Sequence, residues 1–236
     1  MNKIVFFDTE TTGNTDKDFI CQIAYKNGEE NFTGLYRPPT KIPPEASAVH
    51  HISNKMVADK PSFHESGDLL KIKELFENSI VVAHNAAFDL MMLEKENIRP
   101  ANFICTLRLA RYLDKEGKIE RYNLQYLRYL LDIEVDATAH DALGDVLVLE
   151  QLFERLKKKM MTEERLKESE AIEKMIEVSS HPSLLRIFGF GKHIGKKIED
   201  VAETDRGYLE WLLAEKEKSD VLDEDWIYTL RHYLGK

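Results

Sequence analysis

The 236-residue sequence contains no apolar run approaching the roughly 18 residues that a membrane-spanning helix needs. Near its N-terminus, the apolar run Ile4–Phe7 is also too short for the core of a signal peptide. Cysteine is scarce: Cys21 and Cys105 lie far apart and neither has a CxxC partner, which argues against a disulfide framework or a thiolate zinc site. We therefore expect a cytoplasmic protein with no membrane partner, whose two cysteines are reduced core residues.

Positive charge is also in short supply. The chain has 33 Lys and Arg against 42 Asp and Glu, a net charge of −9, which disfavours a protein that coats nucleic acid by bulk electrostatics. An enzyme that acts on nucleic acid is still compatible with this balance. Metal-dependent nucleases gather carboxylates to hold divalent ions, and those ions supply the positive charge that meets the phosphates.

Strand and helix patterns alternate through the first two-thirds of the chain. Strands are predicted over residues 3–7, 20–26, 31–37 and 79–83, the second and third joined in a hairpin at Asn27-Gly28. Helical periodicity covers residues 67–78, 87–97, 106–113, 123–131 and 139–157. Four prolines in 38–44 predict an extended surface segment. Together these patterns predict an α/β fold with a mixed sheet flanked by helices.

A change in composition divides the chain. We predict a main domain over 1–157, a charged helical linker over 158–182 and a small C-terminal α+β module over 183–236. The linker is rich in Glu and Lys, which favours a solvated helix over a partner-binding coiled coil. In the module, residues 184–190 are strand-like, and two amphipathic segments surround Trp211 and Trp226.

The first candidate for chemistry is Asp8-Thr9-Glu10 at the end of the first strand. Strand alternation sends the side chains of Asp8 and Glu10 to the same face. Two such close like charges are costly unless a cation lies between them or a proton is shared. The alternative is that both carboxylates end the strand in water.

Two further motifs each follow a turn and open a helix. In HNAAFD, Asp89 falls in the first helical turn, where it either stabilises the helix start or contributes to a site, and Asn85 is a candidate N-cap. In TAHDALGD, Thr138 and Asp141 have capping-box spacing, with Asp145 one to two turns into the helix. His140 and Asp145 lie about 140° apart around the axis, so they suit different tasks: a metal ligand at Asp145 and a proton acceptor at His140.

The segments FDTETTG, HNAAFD and HDALGD resemble, in order, the three motifs of the DEDD 3′–5′ exonucleases, typified by the proofreading epsilon subunit of DNA polymerase III. The histidine in the third motif places the chain in the DEDDh branch. The resemblance covers about residues 1–157 and implies a ribonuclease H-like fold. It extends to a nucleotide-contacting loop over residues 44–52, where His51 replaces a usual glycine.

The resemblance implies a role for each matched position. Asp8, Glu10, Asp89 and Asp145 would bind two divalent ions, Mg²⁺ or Mn²⁺, which hard oxygen ligands favour over zinc. His140 would be the general base in hydrolysis of the terminal phosphodiester to a nucleoside 5′-monophosphate. The 3′-terminal nucleotide would be held by the following residues: Thr9, Thr11, His50, Asn85 and Phe88.

The C-terminal segment 186–197 is basic in an otherwise acidic chain. It is not a Walker A loop, because its glycine spacing is one residue too long and Lys197 replaces the Ser or Thr. With residues 205–213 it resembles the module of exodeoxyribonuclease X-like proteins. Its candidate DNA contacts are Lys192, His193, Lys196 and Lys197. The alternative is a hairpin whose lysines provide solubility while Tyr208 and Trp211 fill a small core.

The leading prediction is a metal-dependent 3′–5′ exonuclease that acts on the 3′ ends of DNA. The same type of site can accept RNA, so a ribonuclease T-like or oligoribonuclease-like enzyme is the enzymatic alternative. The non-enzymatic alternative is a catalytically idle scaffold associated with a DNA polymerase. A DNA polymerase or repair protein is the predicted protein partner.

Overall fold

The computed structural model describes residues 3–135, 142–218 and 223–236. Its central feature is a mixed sheet of five strands: β1 (Ile4–Thr11), β2 (Ile20–Asn27), β3 (Glu30–Leu35), β4 (Ile80–Ala83) and β5 (Asn102–Cys105). The strand order is β3-β2-β1-β4-β5. β1 pairs antiparallel with β2 and parallel with β4, and β4 pairs parallel with β5. The carboxyl ends of β1, β4 and β5 therefore meet at one edge of the sheet.

Helices connect and cover the strands. Between β3 and β5 lie α1 (Pro44–His50), α2 (Asn54–Val57), α3 (Asp68–Glu77) and α4 (Ala86–Lys95). After β5 come α5 (Thr106–Leu113), α6 (Leu124–Leu130), α7 (Ala142–Glu164) and α8 (Glu168–Ser179). The C-terminal part contains α9 (Ile198–Thr204), α10 (Arg206–Lys218) and α11 (Glu224–Leu234).

Each face of the sheet has its own apolar core, as strand alternation requires. Phe6 and Val82 point to the face covered by α5, α7 and α8, where Phe153 packs edge-on against Phe6 at 5.3 Å. Phe7 and Val81 point to the other face, which α3 and α4 cover. The predicted mixed sheet flanked by helices is confirmed. Cys21 and Cys105 are buried free thiols, as expected.

Three short elements were not predicted from the sequence. β5 has only four residues and its first is exposed, so it lacks a strong strand pattern. α1 begins at Pro44, a proline at the first helical position, where the missing N–H costs no hydrogen bond. The proline-rich segment therefore ends in a helix, and the four-residue α2 follows it.

The segment 158–182 is not a solvated helix throughout. It contains the end of α7 and all of α8, and α8 packs against β5, α5 and α7. Ala171 and Met175 are fully buried in the same core as Phe6. The domain boundaries at 157 and 182 stay a prediction.

The C-terminal module has its own core, formed around Phe188 and Trp226 by the helices α9, α10 and α11. Instead of the strand predicted over 184–190, the described residues there form an isolated bridge between Ile187 and Lys197. Within the described ranges, none of the helices combines the length and apolarity needed to cross a membrane.

Candidate active site

Three carboxylates converge at the edge where the parallel strands end. Asp8 and Glu10 project from β1, and Asp145 projects from the first turn of α7, which packs across β1 and β2. One oxygen from each lies within 4.8 Å of the other two. Asp8 and Glu10 are half-buried and Asp145 is 9% exposed. The predicted pairing of Asp8 with Glu10 on one strand face is thus extended by an acid 135 residues further along the chain.

The chemistry of this trio fits a hard divalent cation. Carboxylate oxygens are the ligands that Mg²⁺, Mn²⁺ and Ca²⁺ favour, and a cation offsets the repulsion among three close negative charges. Gln125 of α6 donates a hydrogen bond from Nε2 to Oδ1 of Asp145 and so orients that carboxylate. Such support for a metal-binding side chain is a common feature of metal sites. No motif in the sequence singles out Gln125.

Asp89 is not one of the described carboxylates that lie within 4.8 Å of one another. It is buried in the first turn of α4 and accepts hydrogen bonds from the backbone N–H of Thr9 at 3.2 Å and from Thr9 Oγ1 at 2.6 Å. Burial raises the pKa of Asp89 to about 7, and the two Thr9 hydrogen bonds oppose that rise. Asp89 therefore connects α4 to β1 by hydrogen bonds to Thr9, the residue between Asp8 and Glu10. Its predicted role as a fourth metal ligand stays a prediction.

His140, the predicted general base, lies outside the described residues, as do Thr138 and Asp141. The next described residue, Ala142, begins α7 and donates its N–H to Gln22 Oε1 at 3.4 Å. Gln22 is the strand partner of Glu10. The helix that carries Asp145 thus starts beside the strand pair that carries Glu10.

The predicted nucleotide-contacting residues occupy different surroundings. Thr9 and Thr11 are buried, and the Thr11 hydroxyl donates to the Gly13 carbonyl at 2.5 Å. Asn85 is exposed and Phe88 half-buried, and both line a groove of about 670 Å³. Asn85 occupies the N-cap position of α4, but with a left-handed φ of 65° and no capping hydrogen bond from its side chain. The predicted N-cap position of Asn85 is therefore confirmed, but its side chain does not cap the helix.

His50 and His51 lie at the end of α1 and differ sharply. The buried His50 ring accepts the Ile52 N–H at Nδ1 (3.0 Å), and its Nε2 lies 3.9 Å from Cys21 Sγ. Burial lowers the pKa of His50. The exposed His51 has φ 62° and ψ 11°, a left-handed conformation that glycine adopts without strain. This conformation is consistent with the glycine that the family resemblance implies at this position.

The four candidate DNA contacts in the C-terminal module are not equivalent. Lys192, Lys196 and Lys197 are exposed, and Lys192 Nζ lies 2.6 Å from Asp205. His193 is buried: its Nε2 lies 2.9 Å from Asp205, and its ring packs edge-on against Tyr208 at 4.8 Å. A surface role for His193 is therefore wrong, because its side chain belongs to the module's core.

The alternative interpretation of this module, in which Tyr208 and Trp211 fill a small core, is also partly wrong. Trp211, expected in the small core, is 54% exposed, and Trp226 is buried against Phe188 instead. Tyr208 does pack against Phe188 and is half-buried.

Comparison with sequence models of known families assigns the chain to a family. A sequence model described as Exonuclease matches residues 5–153, which include every described carboxylate of the site. The chain belongs to the Exonuclease family. A second model, described as exodeoxyribonuclease X-like C-terminal, matches residues 188–217. The predicted resemblance, the enzymatic class and the ribonuclease H-like fold are confirmed.

Individual relatives agree with the family. The chain is 35% identical over 201 residues to exodeoxyribonuclease 10 of Escherichia coli (strain K12), covering 85% of this chain and 83% of the relative. It is 30% identical over 133 residues to DNA polymerase III subunit epsilon of the same strain, covering 52% and 53%. A solved structure of exonuclease X in complex with 5′ overhanging duplex DNA matches with a TM-score of 0.59 and 28% identity. That match covers 75% of this chain and 99% of the other.

Proposed function

We propose that this protein is a metal-dependent 3′–5′ exonuclease that hydrolyses terminal phosphodiesters of DNA and releases nucleoside 5′-monophosphates. The observation that carries the proposal is the convergence of Asp8, Glu10 and Asp145 at the edge of the sheet in a member of the Exonuclease family. The name of the relative that shares most of the chain, exodeoxyribonuclease 10, favours DNA as the polymer.

Each residue has a role in this proposal. Asp8, Glu10 and Asp145 would hold the metal, with Asp89 as a further ligand, and two Mg²⁺ or Mn²⁺ ions suit this set of oxygen donors. Divalent ions supply positive charge to the phosphodiester and stabilise both its attacking and its leaving oxygens. His140 would take the proton from the attacking water. Thr9, Thr11, His50, Asn85 and Phe88 would surround the 3′-terminal nucleotide, with His50 acting through the shape of the loop it holds.

The proposal is tested with matched 5′-labelled single-stranded DNA and RNA oligomers, in Mg²⁺, in Mn²⁺ and in EDTA. We expect a metal-dependent ladder that shortens from the 3′ end, faster on DNA than on RNA. The Asp8→Ala variant should lose the ladder, and the exposed Asp59→Ala variant should keep it as the matched control. A faster RNA ladder would support the ribonuclease alternative. A fully active Asp8→Ala variant, or no ladder on either polymer, would contradict the proposed site.

The general base is tested separately. Replacing His140 by Asn should lower the rate about 10²–10⁴-fold, the usual loss for a general base, with little change in metal binding. Metal binding is measured by the rise in melting temperature on titration with Mn²⁺. An equal loss of metal binding and rate would instead make His140 part of the metal site.

A further inference from the structure

A second groove lies where the C-terminal module meets the catalytic domain. It has a volume of about 410 Å³ and lies between α5, α8 and the segment that leads into the module. Its charged lining is mostly basic and comprises Arg108, Arg111, Lys115, Lys174, His181, Arg186 and a single acid, Glu177. Such a groove is unexpected in a chain with net charge −9. We call it the junction groove.

Most of these cations already have partners. Arg108 and Arg111 bind Asp225 of α11, Lys174 lies 3.0 Å from Glu177, and Lys115 lies 3.8 Å from Glu163. Arg186 is the exception, since its side chain makes no ion pair or hydrogen bond with any described residue. Its Nε is buried and unpartnered. A guanidinium in that condition has a strong requirement for an anionic acceptor.

Two other donors in the junction groove share that condition. Ser183 is 9% exposed, and its hydroxyl has no hydrogen-bond partner among the described residues. The Nε of Arg111 is likewise buried without one. A buried donor without an acceptor costs about 1–3 kcal/mol, and three of the six unpartnered buried side-chain atoms among the described residues belong to residues that line this groove.

The junction groove adjoins the larger groove that contains two of the predicted nucleotide contacts. Arg108 lines both the junction groove and the larger groove that contains Asn85 and Phe88. Those two residues precede Asp89 at the start of α4 and are two of the predicted contacts of the 3′-terminal nucleotide. A strand whose 3′-terminal nucleotide contacts Asn85 and Phe88 would reach the junction groove past Arg108, along a wall that Lys216 and three acids also line: Asp223, Glu224 and Asp225.

We propose that the junction groove binds the phosphodiester backbone of the substrate strand upstream of its 3′ end, with Arg186 as the principal phosphate contact. The proposal rests on the proposed function. A phosphate oxygen in the groove pairs with the guanidinium of Arg186, a half-buried side chain that lines it. The C-terminal module thus completes a nucleic-acid path that starts in the catalytic domain.

The test compares a long substrate with one too short to reach the groove. Arg186→Gln should raise KM about five- to tenfold for a single-stranded DNA 20-mer and reduce the slope of log Kd against log salt by about one. Hydrolysis of the p-nitrophenyl ester of thymidine 5′-monophosphate should be unchanged. The matched control is Arg99→Gln, which removes an exposed arginine at the opposite edge of the sheet, before β5. It should leave both substrates unaffected.

Binding measurements make the test independent of turnover. Fluorescence anisotropy of the labelled 20-mer in EDTA gives Kd for the Arg186→Gln and Arg99→Gln variants even if the wild type degrades no DNA. Lys115→Gln, a change at a side chain 58% exposed, provides a second variant in which the fold is at little risk. Equal Kd and salt slope in Arg186→Gln and wild type, or an equal loss on the mononucleotide ester, would overturn the proposal.

Discussion

The candidate active site and the junction with the C-terminal module both contain aspartates, but the charges around those aspartates differ. At the active site, Asp8, Glu10 and Asp145 gather like charges at the end of the sheet. At the junction, Asp225 lies between Arg108 and Arg111 and also accepts the Ser183 backbone N–H at 2.7 Å. Close like charges in the first region repel one another unless a cation lies between them, whereas in the second region each charge lies beside an opposite one. Removal of an aspartate charge is therefore expected to have opposite effects on stability in the two regions.

The same substitution in both regions gives the sharpest test of this comparison. Asp145→Asn keeps the size of the side chain and an acceptor for Gln125, but removes a charge from the trio. We expect exonuclease activity to fall about 10²–10⁴-fold, because several kcal/mol of charge stabilisation in the transition state are lost. In EDTA the melting temperature should rise, since repulsion with Asp8 and Glu10 is relieved. A lower melting temperature would show that the trio is held by stabilising contacts instead.

Asp225→Asn should have the opposite pattern. It leaves Arg108 and Arg111, whose side chains are only 10% and 21% exposed, without their shared counter-charge. We expect the free energy of unfolding to fall by about 2–3 kcal/mol, measured by urea denaturation, with mononucleotide ester hydrolysis retained.

The neighbouring residue provides the control for Asp225. Glu224 lies 3.0 Å from Arg108, but its side chain is 62% exposed. Glu224→Gln should therefore cost less than about 1 kcal/mol. Equal losses from the two variants would mean that burial does not set the strength of these pairs.

The two regions also differ in how far the sequence predicts them. Strand alternation places Asp8 and Glu10 together, and motif order adds Asp145, because local periodicity and a resemblance suffice. Neither signal predicts that Arg108 and Arg111 pair with Asp225. This contact depends on how α11 packs against α5, and the paired residues are more than 110 positions apart in the sequence. The same lack of long-range information explains the errors in the module: His193 and Trp211 exchange their expected exposures once three helices pack around Phe188.

His84 follows β4 and is hydrogen-bonded to Thr106 of α5. Its surroundings predict that the stability of the protein depends on pH. Its Nε2 lies 2.7 Å from the Tyr122 carbonyl, which can only accept, so Nε2 carries the proton and Nδ1 accepts from the Thr106 hydroxyl at 2.9 Å. Burial lowers the pKa of His84 to about 4 from its ordinary 6.5. The folded state therefore holds the neutral ring over a range in which the unfolded chain binds a proton.

The sign of the pH effect follows directly. Stability from His84 is fully present above pH 6.5 and is lost as the pH falls toward 4, because the unfolded state binds more protons in that window. We expect the free energy of unfolding to drop by about 1–2 kcal/mol between pH 7 and pH 5. His84→Gln should be less stable at pH 7 but show a shallower pH slope in parallel urea titrations. Identical slopes would exclude His84 as the titrating group.

The smallest effect is expected at His51, beside the candidate active site. A left-handed residue other than glycine is strained, and strained residues cluster at functional sites. Since the His51 side chain is exposed, His51→Gly should raise the free energy of unfolding by about 0.5–1 kcal/mol, seen as a small rise in melting temperature. The control Val49→Gly, at an exposed helical position of α1, should lower it by about 0.5 kcal/mol. If both glycines destabilise the protein, the side chain of His51 contributes contacts that outweigh the strain of its backbone.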